Sequence, residues 1–139
     1  MGQIVVGYDG SACGDAALES ALGMAGELGD RVVVVFGYAP PGLWGGEIAE
    51  HEEAIEELGE KVMAKAKAQA AEHGVEIEEQ LVPQRAAEAL IAVAEQRDAR
   101  MIVVGSFGDP PLKGMILSST PNKLLYMSDR PVLVVPAKP

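Results

Sequence analysis

Two clusters of small and polar residues in this chain have the types and spacing of a phosphate cradle. In "VVGSFGDPPLKGMILSST", Val103 to Thr120, Gly105 and Gly108 form G-x-x-G directly after an apolar run, with Ser106 between them. Nine residues then separate Gly108 from the hydroxyl run Ser118-Ser119-Thr120. Glycine lets an anion approach backbone N–H groups, hydroxyls add donors, and a helix beginning near Ser118 offers free N–H groups and a positive dipole end. The plainer reading is that Gly105 and Gly108 only serve a turn and that one hydroxyl is only an N-cap. The spacing is neither that of a P-loop, which needs G-K-[ST], nor the G-x-G-x-x-G of a dinucleotide fold. The second cluster is Asp9-Gly10-Ser11, after "QIVVGY". Asp9 either accepts hydrogen bonds from sugar hydroxyls or closes an Asp-Gly turn and caps the next helix.

Other reactive side chains lack the company that chemistry needs. Ser106 and Ser119 as nucleophiles of a small α/β hydrolase would require a G-x-S-x-G elbow and a histidine partner, and the sequence supplies neither. Cys13 has no basic neighbour to activate it. His51 and His73 are far apart on a glutamate-rich segment and do not form a metal motif. Lys113 and Lys123 are candidates for neutralising phosphate, although a surface lysine is solvated by default. Trp44 either folds over a ligand from its Pro/Gly-rich loop or packs on the sheet's edge. With no general base positioned beside Asp9 or Asp109, catalysis is expected to be slow or absent.

The elements that must position these residues are legible from periodicity. "QIVVGY" reads as a buried strand, followed by a helix from Gly14 to Leu28, with Ala17, Leu18, Ala21, Leu22, Met24, Ala25 and Leu28 on one face and Gly29-Asp30 as its stop. "RVVVVFGY" is too continuous in valine for a half-exposed strand and belongs inside a parallel sheet. Glu47 to His73 reads as a long helix with Ile48, Ile55, Leu58, Val62 and Ala66 facing inward. Val75 to Val82 alternates like a strand near an edge; a helix over Ala86–Arg97, the buried strand "RMIVVG", a helix from Ser118 to Ser128 and the strand in "PVLVVP" complete the chain.

The order β-α-β-α-β-α-β-α-β predicts a single-domain, doubly wound α/β fold: a five-stranded parallel sheet of order 3-2-1-4-5 with helices on both faces. In such sheets ligands bind beyond the carboxyl ends of the strands where strand order reverses, here between the first and fourth strands. Topology therefore brings Asp9-Gly10-Ser11 and Gly105–Gly108 to one crevice independently of any motif.

Composition narrows the setting. The chain's 139 residues and 48% hydrophobic content suffice for one core, and a single cysteine leaves no intramolecular disulfide, which favours a reducing compartment. No basic stretch precedes an apolar export segment, and no uncharged run approaches the roughly 20 residues of a membrane span; a cytoplasmic protein without a membrane partner is expected. A net charge of −10 argues against nucleic acid as a partner. After residue 104 the balance reverses, with Lys113, Lys123, Arg130 and Lys138 against Asp109 and Asp129, in keeping with an anionic ligand.

The blocks "IVVGYDGS", "ARMIVVGSFG" and "SDRPVLVVP" resemble the universal stress protein family over nearly the whole length. Its nucleotide-binding branch carries G-x2-G-x9-G-[ST], against Gly105-x2-Gly108-x9-Ser118-Ser119 here. Three of the four positions match, and Ser118 replaces the third glycine. The resemblance implies that the glycine-rich segment wraps the phosphates of ATP, or of ADP, AMP or cyclic AMP, with Mg2+ accompanying the nucleotide. It also implies that Asp9 lies near the ribose and that the second strand's end, the neighbourhood of Val35 to Tyr38 with Val35 and Gly37, contacts adenine. Gly37 stands where a larger apolar residue is usual, and Gln84 and Arg100 stand where the family commonly has Gly and Asp. A stress-signalling role, a downstream protein partner and a homodimer built on the C-terminal strand are implied as well. The rival is a nucleotide-free stress protein acting by protein contacts alone.

Overall fold

A computed structural model describes residues 2–38, 48–106 and 120–137, and of residues 48–53 and 55 the backbone alone. The strands are β1 (Gln3–Gly7), β2 (Arg31–Gly37), β3 (Ile77–Val82), β4 (Met101–Gly105) and β5 (Val132–Val135). Between them run α1 (Ala12–Leu28), α2 (Ile48–His73), α3 (Ala86–Arg97) and α4 (Thr120–Met127). All four strand pairings are parallel, and the sheet order is β3-β2-β1-β4-β5, as the alternation of elements predicts.

Alternate residues of the valine-rich strands feed two cores. Ile4 and Val6 of β1 point with Val32 and Val34 of β2 toward α1 and α2, where Leu18, Leu22, Val62 and Ala66 meet them. Val5, Val33 and Val35 point to the other face, against Leu90 and Val93 of α3 and Leu124 of α4. Burial on both faces explains why these strands are unbroken apolar runs.

The helix ends follow local chemistry. The Ser11 hydroxyl caps α1 by accepting the Gly14 N–H, so the helix starts at Ala12, two residues before the expected Gly14. Gly29 closes it in the left-handed region at φ 71°. Val75 does not belong to β3: its N–H returns to the Ala70 carbonyl, closing α2 around Gly74, and the strand begins at Ile77.

Two residues expected on inward helix faces lie outward: Leu28, in the last turn of α1, and Leu58 of α2. Leu58 is half exposed, because the buried seam runs through Gly59, Val62, Met63, Ala66 and Ala70. Gly59 lies so close to Leu81 of β3 that any side chain there would displace it. Val62 and Ala66 are buried as expected, and the side chains of Ile48 and Ile55 lie outside the description. Glu47, Ser118 and Ser119, expected at helix starts, also lie outside the described residues.

Candidate functional site

At the carboxyl end of the sheet, where β1 and β4 lead their following helices to opposite faces, a cleft of about 100 Å³ opens to solvent. Gly7, Tyr8 and Asp9 line it from the end of β1, Val35, Phe36 and Gly37 from β2, and Val104 and Gly105 from β4. Ala86 and Leu90 of α3, Gly14 of α1 and Thr120 at the start of α4 complete the wall.

Four glycines keep this end of the molecule both tightly packed and hollow. A Cβ on Gly105 would stand 2.6 Å from the Cys13 carbonyl oxygen, so Gly105 is required where the first turn of α1 crosses β4. A Cβ on Gly37 would meet the Ala86 Cα at 2.9 Å, on Gly7 the Leu90 side chain at 2.9 Å, and on Gly14 the Asp9 carboxylate at 2.7 Å. Gly105 thus has a reason that spacing does not disclose: a helix must come close, whatever else approaches.

While the cap of α1 falls to Ser11, Asp9 is exposed and closes the Asp-Gly turn. Its Oδ1 accepts the Ser11 N–H at 2.9 Å and the Ser11 hydroxyl at 2.5 Å, closing an Asx turn over Gly10, which sits at φ 80°. Its carboxylate also borders the cleft. Ser11 is buried, and its hydroxyl donates to Asp9 while accepting from Gly14, so it serves the turn and the cap.

Tyr8 was not singled out in the sequence, yet it is buried in the cleft wall and its hydroxyl donates to Asp15 at 2.6 Å. Burial, helped by that hydrogen bond and the charges of Asp15 and Asp9, pushes its pKa far above the usual tyrosine range. The ring is therefore a neutral donor at every physiological pH. Its signal was its place: the residue between a central strand's last glycine and the Asp-Gly turn must lie at the crevice.

The cleft is apolar along Val35, Phe36 and Leu90, carries one carboxylate at Asp9, and contains no Lys or Arg among its described lining residues. Such a site suits a flat apolar ring with hydroxyls attached. Lys123 lies 3.5 Å from Glu88, so its charge is already partnered. Cys13 is buried behind Gly105, and His73 pairs with Glu19 at 2.7 Å on the far side of α1. No group of three His, Cys, Asp or Glu side chains that would hold a metal occurs among the described residues.

The sequence and the fold have known counterparts. The universal stress protein family matches residues 1–136. The chain belongs to that family. A universal stress protein of Bacillus subtilis, YxiE, is 31% identical over 148 residues, spanning 96% of this chain and 97% of its own. Two solved universal stress proteins share the fold. One, in complex with cAMP, has a TM-score of 0.76 and 24% identity over 99% of this chain and 98% of its own. The other, from Archaeoglobus fulgidus in complex with dAMP, has a TM-score of 0.69 and 21% identity over 97% and 98%.

In this universal stress protein the fold brings Asp9, Val35, Gly37, Gly105 and Thr120 together around one cleft. Gly10 and Ser11 stand just behind Asp9 as the turn that shapes it. Ser106 lies beyond the lining: its N–H bonds the Val135 carbonyl, and its buried hydroxyl has no hydrogen-bond partner among the described residues. Gly108, Lys113, Ser118, Ser119 and Trp44 lie outside the described residues. Arg100, where the family commonly has Asp, turns away from the cleft to the opposite end of the sheet and pairs with Asp30 at 2.6 Å.

Proposed function

We propose that this universal stress protein binds an adenine nucleotide, ATP or a related mono- or diphosphate, in the cleft between β1 and β4, and uses occupancy as a state signal to a downstream protein with little or no catalysis. The observation that carries the reading is the cleft itself, at the switch point, with an apolar wall at the end of β2 for a base and the Asp9 carboxylate for ribose hydroxyls. The cAMP and dAMP complexes of proteins with the same fold support adenine as the base. In this reading Gly108, Ser118 and Ser119 take the phosphates, and Mg2+ arrives with ATP, for which the described lining offers the single carboxylate of Asp9. In this reading the protein acts in the cytoplasm, a reducing compartment that suits its single cysteine.

Mass spectrometry of small molecules released from the denatured, freshly purified protein should detect an adenine nucleotide, and calorimetry should show which is bound tightest. Absence of nucleotide from the purified protein together with no heat from ATP, ADP, AMP or cyclic AMP would favour the nucleotide-free reading. That rival draws on one observation of its own: packing against Cys13 already accounts for Gly105 without a ligand.

Dimerisation belongs to the same proposal. β5 is an edge strand with Leu133 38% exposed, leaving a short apolar border for a second copy. Sedimentation at micromolar concentration should give a dimer that Val134→Lys converts to monomer; a wild-type monomer would remove this part of the proposal.

A further inference from the structure

The turn that presents Asp9 to the cleft is held from outside by α2. The Lys65 ammonium donates to the Gly10 carbonyl at 2.9 Å and pairs with Asp15 Oδ2 at 3.1 Å, while the other oxygen of Asp15 accepts the Tyr8 hydroxyl at 2.6 Å. Val62, one turn earlier on α2, lies 3.5 Å from where a Cβ on Gly10 would stand. A single lysine thus joins the turn backbone to the carboxylate that anchors a tyrosine of the cleft wall. The register that delivers it there is set farther along the same face. Gln69 donates to the Asp15 carbonyl and to Glu19, each at 3.0 Å, and His73 meets Glu19 at 2.7 Å. Lys65, Gln69 and His73 are spaced by four residues and meet Asp15 and Glu19, also four apart, as neighbouring turns of two packed helices do.

We propose that Lys65 is a positioning residue for the cleft: by fixing the Gly10 carbonyl and Asp15 together, it holds the Asp9-Gly10-Ser11 turn in its cleft-facing shape and couples α2 to ligand occupancy. Gly10, at φ 80°, has the permissive backbone of a residue without Cβ, and no local hydrogen bond in the turn holds its carbonyl. To the local hydrogen bonds of the Asx turn, the charge-assisted bond from Lys65 adds a restraint on the Gly10 carbonyl from a second helix. Only the affinity part of the inference rests on the nucleotide reading.

The test compares Lys65→Met, which keeps the stem and removes the charge, with Lys65→Arg, and with Lys67→Met as a control; Lys67 pairs with Glu79 at 2.8 Å instead of reaching the turn. Lys65 is 53% exposed, so the fold should survive each change. In the ligand-free protein, the Ser11 and Gly14 amides are hydrogen-bonded within the turn and cap, and their hydrogen exchange reports its integrity. Lys65→Met should raise their exchange about tenfold and leave the strand amides unchanged. Lys65→Arg should restore most of the protection, and Lys67→Met should change nothing. For the nucleotide that the wild type binds tightest, Lys65→Met should weaken affinity by roughly three- to tenfold. Unchanged exchange at Ser11 and Gly14 overturns the inference whatever the protein binds. Raised exchange with unchanged affinity overturns the coupling to occupancy while nucleotide binding stands. A wild type that binds no nucleotide removes the ligand reading, and the exchange result then decides the role of Lys65 in the turn.

Discussion

The two ends of the sheet are built on opposite principles. At the amino end charge ties the loops together: the Asp30 side chain, 1% exposed, accepts from the Gly2 N–H at 3.0 Å and from Arg100 at 2.6 and 3.2 Å. Arg130 extends the lacing by donating to the Ala99 carbonyl at 3.0 Å. At the carboxyl end the same chain uses absence of side chains, with Gly7, Gly14, Gly37 and Gly105 letting helices close in while the centre stays hollow. The amino end satisfies its polar groups with protein, and the end with the cleft and an exposed Asp9 is the one open to a ligand.

Four substitutions, taken from the largest expected effect to the smallest, break or sharpen this contrast. Gly105→Val should be the most damaging, because its branched side chain must displace the backbone of Cys13; we expect a loss of roughly 3 kcal/mol in chemical denaturation, the upper range for overpacking. A fully stable Gly105→Val protein would show that α1 and β4 can separate and that the glycine serves something other than packing.

At the amino end, Asp30→Ala leaves the Gly2 N–H and the guanidinium of Arg100 without their acceptor and should cost about 2 kcal/mol at neutral pH. The loss should depend on pH in a defined direction. The hydrogen bond from Arg100 holds the Asp30 pKa below the usual carboxylate range against the opposing effect of burial. A carboxylate whose folded pKa is depressed stabilises above its unfolded pKa, about 3.9, and loses that contribution as pH falls through the lower folded value. The difference between wild type and Asp30→Asn should therefore be constant above about pH 5 and shrink below about pH 4. A difference that stayed flat down to pH 2 would contradict the ion pair.

Gly29→Ala separates backbone strain from crowding. No atom lies within 4 Å of a Cβ built there, and φ is 71°, so the cost should be about 1 kcal/mol from the left-handed conformation alone. A loss as large as that of Gly105→Val would mean that crowding is not what distinguishes the cleft glycines. Leu58→Ala should change stability by less than about 0.5 kcal/mol, as expected for a half-exposed side chain outside the buried seam of α2. A loss above about 2 kcal/mol would place Leu58 in a core instead.

The fold was legible to within a few residues because its signals are local. Continuous valine in "RVVVVFG" announces burial on both faces, and the alternation of strands and helices leaves few right-handed parallel topologies. The errors were also local. Val75 looked like the start of a strand because it precedes alternating residues, but its amide closes α2. Leu58 fitted an inward stripe on hydropathy, although the helix packs through Gly59 against Leu81, which rotates the buried face past it.

The site was legible in its location and less so in its composition. Asp9 and Gly105 reach the cleft because topology puts every strand's carboxyl end there. Tyr8, Ala86 and Leu90 escaped notice because an apolar residue in a wall is indistinguishable in sequence from one in a core.

By itself the sequence determined which segments are strands and helices, that the sheet is parallel, and which end of it holds the crevice, since each follows from periodicity and connection length within neighbouring elements. Only the tertiary structure decided why Gly105 and Gly37 must be glycine, that Asp30 finds Arg100 70 residues away, and that Lys65 reaches the Gly10 carbonyl from a different helix. Those contacts depend on the distance and register at which two elements pack, and hydropathy along a chain records whether a residue is covered but not which atoms cover it.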